Sequence, residues 1–309
     1  MSVSTSTLKL ELDKADDVQI LIDEDLSKLS TLKLKARGDL VLVRSFEALK
    51  DVINLFKKFK KSYNVLGFGA NQMLLENSPN PYIKLQFSLD SNLLESVKDE
   101  YCLPASIHLS KLTSHASKHG LKGWEVFTGI PATLGGAIFM NAGTGLGEIG
   151  SLVKEVKVLS RDGELRVISP GEEGFSYRKN NFTKKGDIIY EATLVHNGVD
   201  SSVPGLIKEY LRKRNESQPL WASTCGCIFK NAERPVSSKK LATCRAGEFI
   251  DIMGLKGFQM DQVRVSPLHA NFMENRGGAD YSSMVKAISF VKEELKLQFG
   301  VDFETEVKF

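Results

Sequence analysis

The chain has 309 residues, with 41 basic and 38 acidic side chains and a net charge of +3. That balance is too small and too evenly mixed to be the footprint of a nucleic-acid-binding surface. No apolar run approaches the length of a membrane span, and Met1 to Asp16 is polar without the hydrophobic centre of a signal peptide, so a cytoplasmic protein without a membrane partner is expected. The length exceeds what one core supports, which predicts two or three packed lobes with room to bury a large cofactor.

Val18 to Ile22 reads as a strand. Ser45 is placed as the N-cap of a helix reaching about Lys61, with Phe46, Leu49, Val52, Ile53, Phe56 and Phe59 as its apolar stripe. Asn64 to Leu75 then sets an apolar run against the turn Gly67-Phe68-Gly69-Ala70-Asn71-Gln72. Successive amides in such a turn form an anion-binding concavity, and the Asn71 side chain is expected to hold it closed. The third glycine and following helix of a dinucleotide fingerprint are missing, which argues against a standard nicotinamide fold.

Tyr82 to Phe87 alternates as a strand, and a helix is predicted around Leu109 to His119. His115 and His119 stand i,i+4 on it, but no third ligand is evident in the sequence, so they read as a solvated helical face and no metal site is expected. The stretch from Thr128 to Gly143 follows, with glycines and a proline among apolar side chains. Pro131 suits the first position of a short helix, whose free amides would then face an anion, and Gly135 and Gly136 allow close approach of backbone or ligand. Composition leaves two readings open here, a ligand cradle or a glycine-rich turn between buried elements.

Beyond it, Val156 to Val158 and Leu165 to Val167 flank Asp162-Gly163, a hairpin signal, and Asp187 to His196 reads as a strand. A helix from about Val203 to Asn215 is taken as the start of a separate C-terminal lobe, and a second, near Ser283 to Phe299, is stopped by Gly300. Val301 to Phe309 reads as a strand with Glu304, Glu306 and Lys308 on one face. The four cysteines, Cys102, Cys225, Cys227 and Cys244, lack zinc-knuckle spacing. Cys225 and Cys227, two apart in an extended segment, point to opposite faces, which disfavours a disulfide or shared metal. Mixed helices and hairpins argue for α+β lobes rather than a doubly wound sheet.

The two glycine stretches, together with Ser176-Tyr177-Arg178, Gly226-Cys227-Ile228-Phe229-Lys230-Asn231, Gly254-Leu255-Lys256-Gly257, Val265 to Phe272 and Glu304-Thr305-Glu306-Val307, resemble the UDP-N-acetylenolpyruvoylglucosamine reductase family of bacterial cell-wall enzymes. The resemblance runs in order over all but the N-terminal segment. It implies an α+β fold: a two-lobed FAD-binding domain of the vanillyl-alcohol-oxidase/PCMH type over residues 1–200, with lobes of about 1–88 and 89–200, and a C-terminal substrate-binding domain over 201–309. It also implies bound FAD, NADPH as hydride donor, a small-molecule UDP-sugar substrate, a role in peptidoglycan synthesis and a monomer.

Residue by residue, the resemblance implies cofactor contacts from Gly67, Gly69, Ala70, Asn71 and Gln72, and from Gly129, Ile130, Pro131, Thr133, Gly135, Gly136, Asn141, Ala142 and Gly143. It implies catalytic roles for Arg178, Cys227 and Glu306, and substrate contacts from Tyr177, Lys230 and Asn231. His269 lies in a matched stretch and is read as a core or loop histidine. Departures from the family pattern occur at Lys35 to Gly38, at Pro104 to Ser106, and at Cys227, which stands where most relatives have a serine acid. The short chain between Arg178 and Cys227 resembles the compact branch, which lacks an extra substrate-covering loop. Two alternatives stay open: a related FAD-dependent oxidase of another small substrate, and a flavin-binding protein without turnover.

Overall fold

In a computed structural model, the structure describes residues 17–232, 236–238 and 241–309; the polar N-terminal stretch lies outside them. The chain forms two compact units. One takes the chain through Glu24 together with Gly38–Phe68 and Pro79–Arg212, and the other takes Asp25–Arg37, Gly69–Ser78 and Lys213–Phe309.

The first unit contains two sheets, each with its own core. One is a four-stranded sheet of β1 (Val18–Asp25), β2 (Arg37–Val43), β3 (Asn64–Val65) and β4 (Tyr82–Leu85), in the order β1-β2-β4-β3. β4 runs parallel to both β2 and β3. Helix α1 (Phe46–Lys58) covers it, with the Ser45 hydroxyl accepting from the Ala48 amide at 3.3 Å and satisfying one amide that the first turn leaves free. Leu49, Val52, Ile53 and Phe56 of α1 are buried with Val41, Val43 and Ile83 of the sheet, so the apolar stripe is the core face.

The second sheet is antiparallel and consists of β5 (Glu100–Pro104), β6 (Val153–Leu159), β7 (Leu165–Ile168) and β8 (Ile188–Val195), in the order β5-β8-β6-β7. The hairpin expected at Asp162-Gly163 joins β6 to β7, with Gly163 at φ +82°. Helices α2 (Leu109–His119) and α3 (Leu134–Phe139) bury Leu109, Leu112, Leu134 and Ile138 in the same core.

His115 is not on a solvated face. It is 4% exposed, its Nε2 lies 3.0 Å from the Tyr101 hydroxyl, and its ring sits 4.6 Å from that of His119. Burial, aided by the neighbouring His119, pushes its pKa down to about 4. The i,i+4 spacing of His115 and His119 could not show that Tyr101 supplies the partner that lets an imidazole join Leu109, Leu112 and Ala116 in the core.

Helix α4 (Val203–Ser217) does not open the second unit as expected. Its buried residues, Val203 and Ile207, belong to the core of the first. The boundary expected at residues 200/201 is therefore displaced to Arg212/Lys213, because the helix needs that apolar surface to bury its stripe.

The second unit holds a three-stranded antiparallel sheet of β9 (Gln259–Met260), β10 (Val263–Val265) and β11 (Met273–Asn275). Helices α5 (Ala246–Ile252) and α6 (Tyr281–Phe299) pack with it, α6 being capped by Asp280 and stopped by Gly300 at φ +70°. Leu32, Leu34 and Met73 lie in this core beside Phe229 and Phe249, although they come from the N-terminal third of the chain. Val301 to Phe309 is not one continuous strand. It is an extended segment with isolated bridges at Phe229–Thr305 and Gln72–Lys308, and Val301, Phe303 and Val307 are buried as the alternation predicts.

Candidate flavin and substrate site

Within the first unit the two glycine stretches meet. A Cβ built on Gly67 would stand 3.0 Å from Thr133 Oγ1 and 3.8 Å from Gly136 Cα. The helix that follows begins at Leu134, with Thr133 as its N-cap, so Pro131 is an exposed residue before the cap and not its first position. The amides expected to face an anion are engaged inside the fold. Leu134 donates to the Ile107 carbonyl at 2.8 Å, Gly135 to the Ala105 carbonyl at 2.8 Å and Ala137 to the Thr133 carbonyl at 2.9 Å. Gly136 donates to Thr133 Oγ1 at 3.4 Å.

The two central glycines thus serve different ends. A Cβ on Gly135 would meet Ala105 Cβ at 2.8 Å, so this residue lets α3 lie on the β5 end. One on Gly136 would meet only Thr133 Oγ1, at 3.3 Å, which leaves its other side open. Ile130, Ala142 and Gly143 of the same stretch are half-buried, while Gly129 takes φ +72°. Next to Gly129, Thr128 is fully buried and its hydroxyl has no partner among the described residues. An open glycine face and an unpartnered buried hydroxyl suit a ligand with polar ring edges, and FAD fits on those two observations.

Asn141 is 2% exposed, and its side chain is committed to the protein: Nδ2 donates to Glu148 Oε2 at 2.7 Å and to the Ser176 carbonyl at 3.0 Å, and Oδ1 accepts from the Gly150 amide at 3.0 Å. Those bonds tie the cradle to the ribbon Phe175–Ser176/Lys179–Asn180, whose turn residues are Tyr177 and Arg178. Arg178 sits at φ +56°, a conformation that costs a non-glycine residue about 1 kcal/mol or more. Its guanidinium donates to the Gly143 carbonyl at 3.2 Å, lies 3.7 Å from Glu148 Oε1 and stacks 4.9 Å from the Tyr177 ring centre. These contacts hold the guanidinium in place at the strained position.

The second unit gathers the other candidates. Gly226, at φ +82°, turns the chain into the segment Cys227 to Lys230, which is clamped on both sides. Ile228 donates to the Asn271 carbonyl at 2.8 Å, and the Glu306 amide donates to the Ile228 carbonyl at 2.7 Å. Asn271 adds two side-chain bonds to the Phe229 backbone, at 3.0 and 2.8 Å. Cys225 is 5% exposed with its thiol pushed up to about 12 by burial, and Cys227 is half-buried; the backbone between them turns at Gly226 and is not the extended segment expected. Neither cysteine is in a disulfide, and of the two Cys227 is the more exposed.

Lys230 pairs with Glu304 at 2.9 Å, which draws the exposed Glu304 carboxyl below its usual range. Asn231 Oδ1 receives the Ala246 amide at 3.3 Å. His269 is half-buried, its Nδ1 accepting from the Asn271 amide at 3.2 Å, and burial lowers its pKa. It supports Asn271, a residue that sequence reading did not mark. Nor does Asn71 close its own loop: its side chain donates to the Glu306 carbonyl at 3.1 Å, and its carbonyl receives the Lys308 amide at 3.1 Å. Gln72 is bridged to Lys308, and Ala70 is half-exposed beside it. Gly69 is a packing glycine, since a Cβ there would lie 2.0 Å from the Leu29 carbonyl oxygen.

Comparison with known proteins matches two parts of the chain to family models. Residues 39–169 match the family model of an FAD binding domain, and residues 218–309 match that of the UDP-N-acetylenolpyruvoylglucosamine reductase C-terminal domain. UDP-N-acetylenolpyruvoylglucosamine reductase 1 of Bacillus thuringiensis subsp. konkukian is 31% identical over 303 residues, covering 96% of this chain and 97% of the relative. The Bacillus subtilis reductase is 30% identical over 302 residues, covering 96% of each. The crystal structure of the Thermus caldophilus reductase superposes with a TM-score of 0.75 at 29% identity, over 94% of this chain and 98% of that one. With relatives at this identity matched from end to end, the chain belongs to the UDP-N-acetylenolpyruvoylglucosamine reductase family.

Proposed function

We propose that this chain reduces the enolpyruvyl group of UDP-N-acetylglucosamine enolpyruvate to UDP-N-acetylmuramate for peptidoglycan synthesis, as an NADPH-dependent flavoenzyme acting as a monomer in the cytoplasm. The observation that carries the reading is the clamp in the second unit, where Glu306 is hydrogen-bonded across to Ile228, the residue next to the half-buried Cys227. FAD held at the cradle of Gly67 and Gly136 would supply the hydride chemistry, with NADPH as the donor.

The chain's own residues have two tasks. Hydride addition beside a carboxylate builds enolate-like charge on the substrate, and each donor or cation aimed at such charge is worth about 3 kcal/mol in a water-poor site. Arg178 takes that role as a cation already held by Gly143, Glu148 and Tyr177, and Glu306 takes it as the neutral acid that donates its O–H, since an ionised carboxylate only accepts. Cys227 delivers the proton that completes reduction of the double bond. Tyr177, Lys230 and Asn231 orient the sugar nucleotide; Lys230 can exchange its exposed partner Glu304 for a phosphate because that pair is solvent-screened.

The test is anaerobic addition of NADPH, then of the enolpyruvyl UDP-sugar, to purified protein while flavin absorbance is followed. Bleaching followed by return of colour is expected. Bleaching without return would favour an oxidase of another substrate, and protein without flavin would favour neither enzyme.

A further inference from the structure

Lys84 lies on β4, the interior strand of the parallel half of the first unit, beside the buried Ile83. Its Nζ donates to the Gly67 carbonyl at 2.5 Å. Gly67 in turn faces Thr133 and Gly136, and the neighbouring Phe68 ring stands edge-on to His108 at 5.1 Å. Among the described residues no carboxylate pairs with the Lys84 ammonium. Burial is the one influence that moves its pKa, downward, and its charge helps Lys111 and desolvation to lower that of His108. A half-buried ammonium without a counter-charge is unfavourable unless an anion joins it.

The short helix α3 cannot bind an anion at this corner with its own N-terminal amides, because those of Leu134, Gly135, Gly136 and Ala137 are all engaged in the fold. An ammonium carries three donors, and Gly67 takes one. We infer that Lys84 is a cofactor-binding residue, the fixed positive charge that holds the pyrophosphate of FAD beside Gly67. The inference rests on reading Gly67 and Gly136 as the flavin cradle, and it gives the anion-binding task to a side chain rather than to a helix terminus.

The test is titration of the flavin-stripped full-length chain with FAD and with riboflavin, which has no phosphate, followed by flavin fluorescence. Lys84→Met is expected to weaken FAD binding by about 10- to 100-fold while leaving riboflavin binding unchanged, as loss of a charged hydrogen bond predicts. Millimolar inorganic pyrophosphate should raise the melting temperature of the parent and not of the variant. Equal weakening of both flavins would overturn the inference, since Lys84 would then act only by holding the Gly67 carbonyl, and unchanged FAD binding would overturn it outright. A parent chain that binds neither flavin would sink the cradle reading itself. Should Lys84→Met fail to fold, acylation of the parent by acetic anhydride, read by mass spectrometry, decides: FAD should protect Lys84 and riboflavin should not, and equal labelling with the two flavins counts against the inference.

Discussion

At the scale of single residues, adjacent glycines separate packing from ligand approach. Gly135 meets Ala105 and the Ile189 carbonyl at once, so Gly135→Ala is expected to lower stability by about 1–3 kcal/mol, the usual range for overpacking. Gly136→Val should leave a folded chain that is flavin-poor, because only the far side of Gly136 is open. Thermal melts and the ratio of flavin to protein absorbance check both, and full flavin content in Gly136→Val would remove that opening from the site. Cys227 is tested by splitting the reaction in stopped flow. Cys227→Ser should keep both half-reactions, while Cys227→Ala keeps reduction by NADPH and slows reoxidation by substrate about 100-fold or more, as expected for a missing general acid. His115 sets a pH limit on stability. Its folded pKa of about 4 lies below the 6.5 usual for histidine, with desolvation the main cause and His119, Lys118 and His196 adding positive charge against the backbone bond of Leu94. The unfolded chain therefore binds the proton first. The stability this group contributes is whole above pH 6.5 and is lost as the pH falls toward 4, by at most about 3 kcal/mol. Urea midpoints at pH 7 and 5 should differ more for the parent than for His115→Leu.

Among elements, those defined by local signals were legible in the sequence. The N-cap at Ser45, the stripe of α1, the Asp162-Gly163 hairpin and the stop at Gly300 are all signalled by residue types and spacings within a few residues of one another. Elements whose meaning depends on a distant partner were not. The last segment alternates as expected, but what makes it part of a site is its pairing with Phe229 and Gln72 and the Asn71 bond to Glu306. The same pairing decides how Glu306 should be probed. Deleting Thr305 to Phe309 would remove the buried Val307 and the backbone bonds of Glu306 and Lys308, so lost activity would mean lost structure. Glu306→Ala keeps that backbone and removes the side-chain donor. It is expected to retain FAD and NADPH-driven bleaching while substrate-driven reoxidation falls about 100-fold, the scale of a lost electrostatic partner. Reoxidation at the parent rate would return Glu306 to the role of a solvated side chain.

For the molecule as a whole, candidate residues were readable as a set because the family pattern follows chain order, but the units do not follow it. Periodicity and composition describe contiguous stretches, so the C-terminal unit was expected to be residues 201–309. Leu32, Leu34 and Met73, which are 0%, 2% and 3% exposed, are nonetheless core residues of that unit. Asn275 Nδ2 donates to the Leu32 and Lys33 carbonyls at 3.0 and 2.8 Å, and the Met73 amide donates to the Lys308 carbonyl at 2.9 Å. Removing one large core side chain costs about 2–5 kcal/mol, against a total domain stability of about 5–15 kcal/mol. A fragment of residues 213–309 lacks all three side chains as well as these bonds, and its deficit should equal or exceed the stability available. It is expected to be collapsed but not cooperatively folded, binding a hydrophobic dye and lacking near-ultraviolet circular dichroism. Adding a peptide of residues 25–37 alone should not restore folding, because Met73 and the strand partner of Lys308 would still be missing. A sharp, single unfolding transition in the isolated fragment would show that the inserted segments are accessories, and that the contiguous domain expected from sequence is the folding unit after all.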